Sequence, residues 1–257
     1  MKPEKEQIII DNWNLNDSFF KDLPEFSKDF ILGEMLQPKT IEYYISRLQN
    51  IGFQKMDNVL DSGCGIGQWA TCLAKLNTNV VAIDPMLDRL KIAEKISSNN
   101  ECSNIKLLNT SIESNDLPDS SFDGIFCYGV FMFTDTSKAI EEFYRLLKPG
   151  GQVYFNFNNL GWYMHLILDR GLLNKEYGLM KNALKMVLNY LIRKDKMKLL
   201  RTKDVKNMLE KANFSNISIG KEGELAPLLN YNESKHGAFY PDSYYGLPSV
   251  TEIIAIK

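Results

Sequence analysis

The chain has 257 residues, of which 44% are hydrophobic and 24% are charged. This composition is typical of a globular protein with a sizeable core and excludes disordered, collagen-like and coiled-coil chains. The length fits one α/β domain, so we predict a single domain over residues 1–257. Thirty Lys and Arg against 32 Asp and Glu give a net charge of -2, so no overall basic field would recruit nucleic acid.

The cysteines and the apolar runs indicate the compartment. Cys64, Cys72, Cys102 and Cys127 have neither the close pairing of a zinc knuckle nor the density of a small secreted scaffold, which predicts reduced thiols. The first apolar run, residues 8–10, is too short for a signal-peptide core. No stretch approaches the ~20 apolar residues of a membrane span. We therefore expect a cytoplasmic protein without a transmembrane segment.

The N-terminal segment, residues 8–53, is predicted to form a helical cap. Ile41, Tyr44, Ile45 and Leu48 recur at the spacing of one helical face.

Short apolar strands alternate with helices through residues 57–157. We predict strands over 58–61, 79–83, 105–108, 122–127 and 152–157, and helices over 68–76, 87–96 and 137–147. This alternation is typical of parallel strands joined by crossover helices, and the continuous apolar character of the strands indicates a sheet covered on both faces. The fold class is therefore α/β.

The remaining chain contains a predicted helical insertion over residues 161–200. The α/β pattern returns with a helix over 202–213 and strands over 217–219 and 250–256, so residues 201–257 would complete the sheet. Between them, the loop over 230–248 concentrates aromatic and hydrogen-bonding side chains. Such a loop suits a polar, hydroxyl-rich ligand.

A glycine-rich motif, Asp61-Ser62-Gly63-Cys64-Gly65-Ile66-Gly67, follows the first predicted strand and opens a helix. Its glycines allow a sharp bend and a close approach to a ligand, although an ordinary strand-to-helix turn is the alternative. The dinucleotide fingerprint would need a third glycine at position 68, which is Gln68 here. Asp61 is placed to meet an ammonium group and would repel a pyrophosphate.

Two further elements strengthen the motif. Asp84 ends the second predicted strand, 23 residues after Asp61, where a carboxylate accepts both hydroxyls of a ribose; alone, it would be interpreted as a helix N-cap. After the third strand, Thr110-Ser111-Ile112 offers a polar contact and an apolar wall for a purine.

Together these segments resemble the class I S-adenosylmethionine-dependent methyltransferases of small-molecule type. The resemblance rests on residues 59–67, 83–87, 117–123 and 145–151. It implies a Rossmann-like, doubly wound, mostly parallel seven-stranded sheet, with residues 57–157 as the donor-binding core. It also implies S-adenosylmethionine as the methyl donor and a small molecule as the acceptor.

The resemblance assigns roles to individual residues. Asp61 would face the amino group of the donor's methionine. The amino-acid moiety would be lined by Gly63, Cys64, Gly65 and Gly67. Asp84 would hold the ribose, and Pro85 beside it would also contact the donor. Ser111 and Ile112 would flank the adenine, and Cys127 and Tyr128 would lie beside the methionine. Residues 109–116 depart from the compact G-D-A/S-x-x-L-P run of the family.

The acceptor is left open by the resemblance, because fold and function are loosely coupled. We expect O-methylation of a sugar-like, phosphorylated or nucleotide-linked intermediate of surface-polysaccharide or secondary metabolism. The alternatives are an N-methyltransferase and a non-catalytic donor-binding protein.

Methylation of an alcohol benefits from a general base. His165, His236 and Asp135 are the candidates, with a packing or surface role as the alternative for each histidine and a helix N-cap as the alternative for Asp135. The sequence does not assemble the carboxylate set of a metal-dependent catechol methyltransferase, so we predict no metal.

Residues 174–206 contain ten basic residues and three acidic ones. We interpret this segment as a solvated helix face with a buried stripe formed by Met180, Leu184, Val187, Leu188 and Leu191. An anionic acceptor is the second interpretation, and attachment to an acidic membrane surface is the third.

Overall fold

The computed structural model describes residues 2–21, 23–35, 40–191, 199–225 and 239–257. Three helices, α1 (Lys2–Asn12), α2 (Glu25–Met35) and α3 (Ile41–Asn50), occupy the segment of the expected cap. Helix α3 begins after Thr40, whose hydroxyl accepts the Tyr43 N–H at 3.3 Å, as an N-cap residue does.

The main sheet has seven strands: β1 (Asn58–Ser62), β2 (Asn79–Ile83), β3 (Ile105–Leu108), β4 (Phe122–Cys127), β5 (Leu147–Asn158), β6 (Ser215–Lys221) and β9 (Val250–Ile256). Their order in the sheet is β3-β2-β1-β4-β5-β9-β6. Strand β9 is antiparallel to both β5 and β6, and the other neighbours are parallel, which confirms the predicted mostly parallel sheet. The two short strands β7 (Ser243–Tyr244) and β8 (Leu247–Pro248) pair separately as a hairpin.

Helices cover both faces of the sheet because successive strand side chains point to opposite sides. Phe126 and Tyr154 belong to the core layer that includes α4 (Gln68–Leu76) and α5 (Leu87–Asn99). Their neighbours Ile125 and Phe155 belong to the layer that includes α6 (Thr136–Leu146) and, later in the chain, Leu209 of α9 (Thr202–Lys211). Two apolar faces explain why these strands lack a polar side.

Strand β5 begins earlier than the sequence predicts. Leu147 already pairs with Phe122, and the register shifts before Gly124 pairs with Gln152. The Lys148-Pro149-Gly150-Gly151 turn is thereby accommodated as an irregularity near the start of the strand.

The strand order reverses between β1 and β4, because the chain leaves β1 toward β2 and later returns to β4 on the other side. In open α/β sheets this reversal opens a crevice at the carboxyl ends of the two strands, where ligands bind. The glycine-rich motif follows β1 and Tyr128 follows β4, so both lie at this crevice.

The insertion contains α7 (Leu160–His165), a π-helical stretch (Leu166–Leu173) and α8 (Tyr177–Leu191). The predicted buried stripe of α8 is wrong at Leu184 and Leu188, which are 39% and 55% exposed. Ala183 and Met186 face the insertion's small core instead, since α8 packs against α7 and the π-helical stretch. Among the described helices, none has the length and apolar character to cross a membrane.

Candidate active site

The glycine-rich loop turns the chain from β1 into α4. Gly63, Gly65 and Gly67 have φ values of +83°, +56° and +82°, the left-handed region that L side chains disfavour. The backbone N–H groups of Gly63 and Cys64 both donate to the Ile83 carbonyl, at 2.8 and 2.9 Å. These bonds fasten the loop to the end of β2.

The three glycines serve different purposes. A Cβ on Gly67 would lie 2.6 Å from the Cβ of Ala93, so Gly67 allows α4 to approach α5. A Cβ on Gly63 would lie 2.6 Å from the methyl groups of Val130. At Gly65 a Cβ would meet nothing within 4 Å, so this glycine leaves open space on the loop's exposed side.

Asp61 is a buried carboxylate at the end of β1. It is 1% exposed, and its Oδ2 has no hydrogen-bond partner in the part of the chain that the structure describes. Burial, followed by the nearby charge of Asp84, raises the pKa of Asp61 to about 8. A cationic partner would relieve both effects.

Asp84 is held rigidly at the end of β2. Its Oδ2 accepts the Gly65 N–H at 3.0 Å and its Oδ1 accepts the Met86 N–H at 2.8 Å. The Asn109 amide in turn donates to the Asp84 carbonyl at 3.0 Å. Because a carboxylate offers about four lone-pair positions, two remain for a ligand.

A cleft of about 580 Å³ opens at these residues. Six of the residues predicted to bind the donor line it: Gly63, Cys64, Gly65, Asp84, Pro85 and Tyr128. Asp61 is buried directly before the loop and is not on the cleft wall.

Four predicted donor contacts do not line this cleft. Gly67 packs against α5, as above, and Ile112 and Cys127 are buried in the core layer that contains α6. Ser111 forms a bridge with Ser114 in the irregular segment that replaces the family's compact run.

Two amide side chains on β5 were missed by the sequence analysis. Asn156 and Asn158 both line the cleft, since residues two apart on a strand share a face. The Asn156 Oδ1 accepts the Gly129 N–H at 2.6 Å, whereas the Asn158 side chain has no hydrogen-bond partner among the described residues. Asparagines at alternate positions of an otherwise apolar strand were the signal for them.

Aromatic rings form much of the remaining wall. Trp69 lies 4.9 Å from Tyr128, and Trp162 of α7 lies 4.8 Å from Tyr240, measured between ring centroids. All four rings line the cleft. Met86 and Arg89 also line the cleft, as Asp84 does.

The candidate base His165 lies close to the cleft, next to the wall residue Trp162. The centroid of its ring is 5.5 Å from that of Trp162, which lines the cleft, whereas His165 itself does not line it. Its Nδ1 is 2.6 Å from Asp169 Oδ2, and it stacks on Tyr244 at 4.2 Å. Hydrogen bonds from Tyr245 and His165 lower the pKa of Asp169.

The other two candidates are placed differently. Asp135 is exposed, does not line the cleft and caps α6, where its Oδ1 accepts the Lys138 N–H at 3.4 Å. This is the structural role that the sequence analysis gave as its alternative. His236 lies outside the described residues.

Residues 60–155 match the family model of the methyltransferase domain. A demethylmenaquinone methyltransferase of Listeria monocytogenes serotype 4a is 31% identical over 104 residues, covering 39% of this chain and 44% of that protein. An uncharacterized methyltransferase of Mycobacterium bovis is 35% identical over 115 residues, covering 42% of this chain and 44% of the relative. The chain thus matches less than half the length of these relatives.

Solved structures share the fold over most of the chain. A possible histamine N-methyltransferase of Thermotoga maritima superposes with a TM-score of 0.56 at 20% identity, covering 93% of this chain and 98% of that one. The phosphoethanolamine N-methyltransferase 2 of Haemonchus contortus, bound to phosphomonomethylethanolamine and S-adenosylhomocysteine, gives a TM-score of 0.60 at 18% identity, covering 90% and 56%.

The described residues fit the donor that such proteins bind. The unpartnered oxygen of buried Asp61 suits an ammonium group, and the open space at Gly65 suits an amino-acid backbone. The two remaining acceptor positions of Asp84 match the two hydroxyls of a ribose.

Proposed function

We propose that the chain, whose residues 60–155 match the model of a methyltransferase domain, is a class I, S-adenosylmethionine-dependent methyltransferase that methylates a hydroxyl oxygen of a small polar acceptor. The acceptor is sugar-like, phosphorylated or nucleotide-linked. The bound donor supplies an electrophilic methyl group on a sulfonium. Asp61 would hold its ammonium group, the Gly63–Gly65 backbone its amino-acid moiety, and Asp84 its ribose.

The observation that carries this proposal is the pair of amides on β5. The Asn158 side chain has no hydrogen-bond partner among the described residues. The Asn156 Oδ1 accepts the Gly129 N–H, which leaves the Asn156 Nδ2 able to donate to a ligand. Trp162 and Tyr240 stand beside them on the cleft wall. Flat rings next to hydrogen-bonding amides suit an acceptor with apolar ring faces and several hydroxyl groups.

We assign His165 as the general base for this reaction. If Nδ1 donates its proton to Asp169, Nε2 is the nitrogen that accepts a proton. It would take the hydroxyl proton as the oxygen–carbon bond forms and the carbon–sulfur bond breaks. A small shift of Trp162 would be needed for contact with the acceptor. Asp135 is left out because it caps α6.

An amine acceptor is the second candidate. The aromatic wall of Tyr128, Trp162 and Tyr240 favours it, because aromatic faces attract ammonium groups. Two similar solved proteins are named as N-methyltransferases, one of them as a possible one. An amine would need desolvation and alignment more than a base.

The test combines donor binding with an acceptor screen. Calorimetry should detect S-adenosylmethionine and S-adenosylhomocysteine but not NAD. Labelled donor, incubated with panels of sugars, nucleotide sugars and amines, should yield a methylated hydroxyl compound. Asn158→Ala should lower its formation, while Asn182→Ala, on the exposed side of α8, should not. Donor binding without any product across the panels would favour a donor-binding protein instead.

A further inference from the structure

A buried charged cluster lies behind the aromatic wall of the cleft. It joins five segments of the chain: Arg47 from α3, Tyr128 after β4, Tyr154 from β5, Glu222 after β6 and Glu252 from β9. Arg47 and Glu222 are each 1% exposed, and Glu252 is fully buried.

The cluster is closely bonded. Arg47 Nη1 donates to Glu222 Oε1 at 2.5 Å, and Arg47 Nη2 lies 3.3 Å from Glu252 Oε2. The Tyr154 hydroxyl donates to the same Glu252 oxygen at 2.8 Å. The free energy lost when such charges are removed from water is about as large as the free energy gained from their attraction. Stabilisation of the fold alone therefore does not explain the cluster well.

Glu222 connects this cluster to the cleft. Besides Arg47, its carboxylate accepts the Tyr128 hydroxyl at 3.0 Å and the Phe239 N–H at 2.9 Å. Tyr128 lines the cleft, and Phe239 directly precedes Tyr240, which also lines it. One carboxylate therefore contacts two separate parts of the cleft wall.

Phe239 is also held by its ring. It lies 5.6 Å from the Tyr128 ring and 5.8 Å from the Trp69 ring, and the Arg47 guanidinium lies 5.2 Å from its centroid. Phe239 follows residues 226–238 in the sequence, and Leu225 precedes them. The Leu225 N–H donates to Glu252 at 2.6 Å. The two carboxylates that share Arg47 thus anchor the chain at both of these points.

Glu222 is poorly suited to accept a proton from the acceptor. It is 1% exposed and does not line the cleft, and its two oxygens already accept hydrogen bonds from Arg47, Tyr128 and Phe239. We propose that Glu222 is a positioning residue. Through Tyr128 and the Phe239 amide, it sets the distance between the Tyr128 and Tyr240 sides of the wall that holds the acceptor. This role rests on the proposed function.

Glu222→Gln tests the proposal, with Glu224→Gln as the matched control. Glu224 is exposed, two residues away, and accepts the Lys221 N–H. Glu222→Gln should speed hydrogen exchange of the Phe239 amide at least ~10-fold, because Gln binds the N–H less strongly than a carboxylate. It should bind S-adenosylhomocysteine as the wild type does. With the acceptor found in the screen, kcat/KM should fall about 100-fold, the cost of a ~1 Å misplacement.

Tyr128→Phe separates positioning from loss of the fold. It removes the hydroxyl that donates a hydrogen bond to Glu222 and leaves the Arg47–Glu222 pair. Hydrogen exchange of the Phe239 amide should therefore stay unchanged, while kcat/KM for the acceptor falls about 10-fold. Wild-type exchange at Phe239 in Glu222→Gln would overturn the proposal, with or without a known acceptor. So would unchanged acceptor kinetics in both variants. Failure of the wild type to bind S-adenosylhomocysteine would instead contradict the proposed function.

Discussion

The Asp84 carboxylate accepts the backbone N–H of Gly65 across 3.0 Å, so the residue that ends β2 fixes the loop that follows β1. The two halves of the predicted donor site, which lie 19 residues apart in sequence, are therefore one hydrogen-bonded unit. A change in Asp84 should affect both the ribose contact and the loop.

Asp84→Ala should weaken binding of S-adenosylhomocysteine by about 1–3 kcal/mol, the cost of leaving buried hydrogen-bonding groups unpaired. Calorimetry measures this directly. Asp88→Ala is the control, because Asp88 is exposed and pairs with Lys91 on the surface. Equal affinities of the Asp84 and Asp88 variants would contradict the ribose assignment.

Gly65→Ala should reduce donor affinity more than its backbone strain explains. The new methyl group would project into the open space at φ +56°, where the amino-acid moiety is proposed to lie. Gly150→Ala is a matched control, with φ +80° and open space away from the cleft. Both variants should lose about 1–2 kcal/mol of folding stability, the cost of a left-handed side chain. Unfolding measurements report the backbone strain in each variant, and calorimetry reports whether the new methyl group obstructs donor binding. Similar donor affinities of the two variants would place the methionine elsewhere.

Donor affinity should rise with pH up to about 8. The pKa of Asp61 is raised to about 8, so the group is mostly protonated below that value in the free protein, whereas the donor's ammonium favours its ionised form. Each pH unit below about 8 should cost at most about a factor of ten in affinity. Calorimetry from pH 6 to 8 in two buffers of different ionisation enthalpy should detect proton release.

Asp61 also affects the folding stability of the donor-free protein, and this effect has the opposite pH dependence. A carboxyl whose pKa is raised by folding stabilises the folded state at low pH and loses that advantage as pH rises from about 4 to about 8. Asp61→Asn should therefore gain stability over the wild type across this window and bind donor weakly at every pH. A wild-type pH profile in Asp61→Asn would exclude Asp61 as the titrating group.

His165→Gln should lower kcat by about 10²- to 10⁴-fold if a hydroxyl is methylated, with donor affinity little changed. Thermal unfolding is measured in parallel, since His165 also stacks on Tyr244. Full activity would redirect the assignment to an acceptor that arrives nucleophilic, such as an amine.

Prediction from sequence succeeded where local signals are strong. The strands around Leu60, Val81 and Ile125 each contain a short apolar stretch, and the motif from Asp61 to Gly67 requires backbone angles that glycine provides. It was wrong about Leu184 and Leu188, because helical periodicity marks a stripe without telling which stripe meets a neighbour.

The α/β class, the seven strands of the main sheet and the choice of Asp61, Gly65 and Asp84 as candidate donor contacts could all be predicted from sequence, since each depends on short-range patterns and turn geometry. The tertiary structure decided which side chains share the cleft: Asn158, Trp162 and Tyr240 come together from a strand, a helix and a distant segment. It also brought Arg47 to Glu222, 175 residues away. Contacts across such separations depend on how layers pack, and no local pattern encodes them.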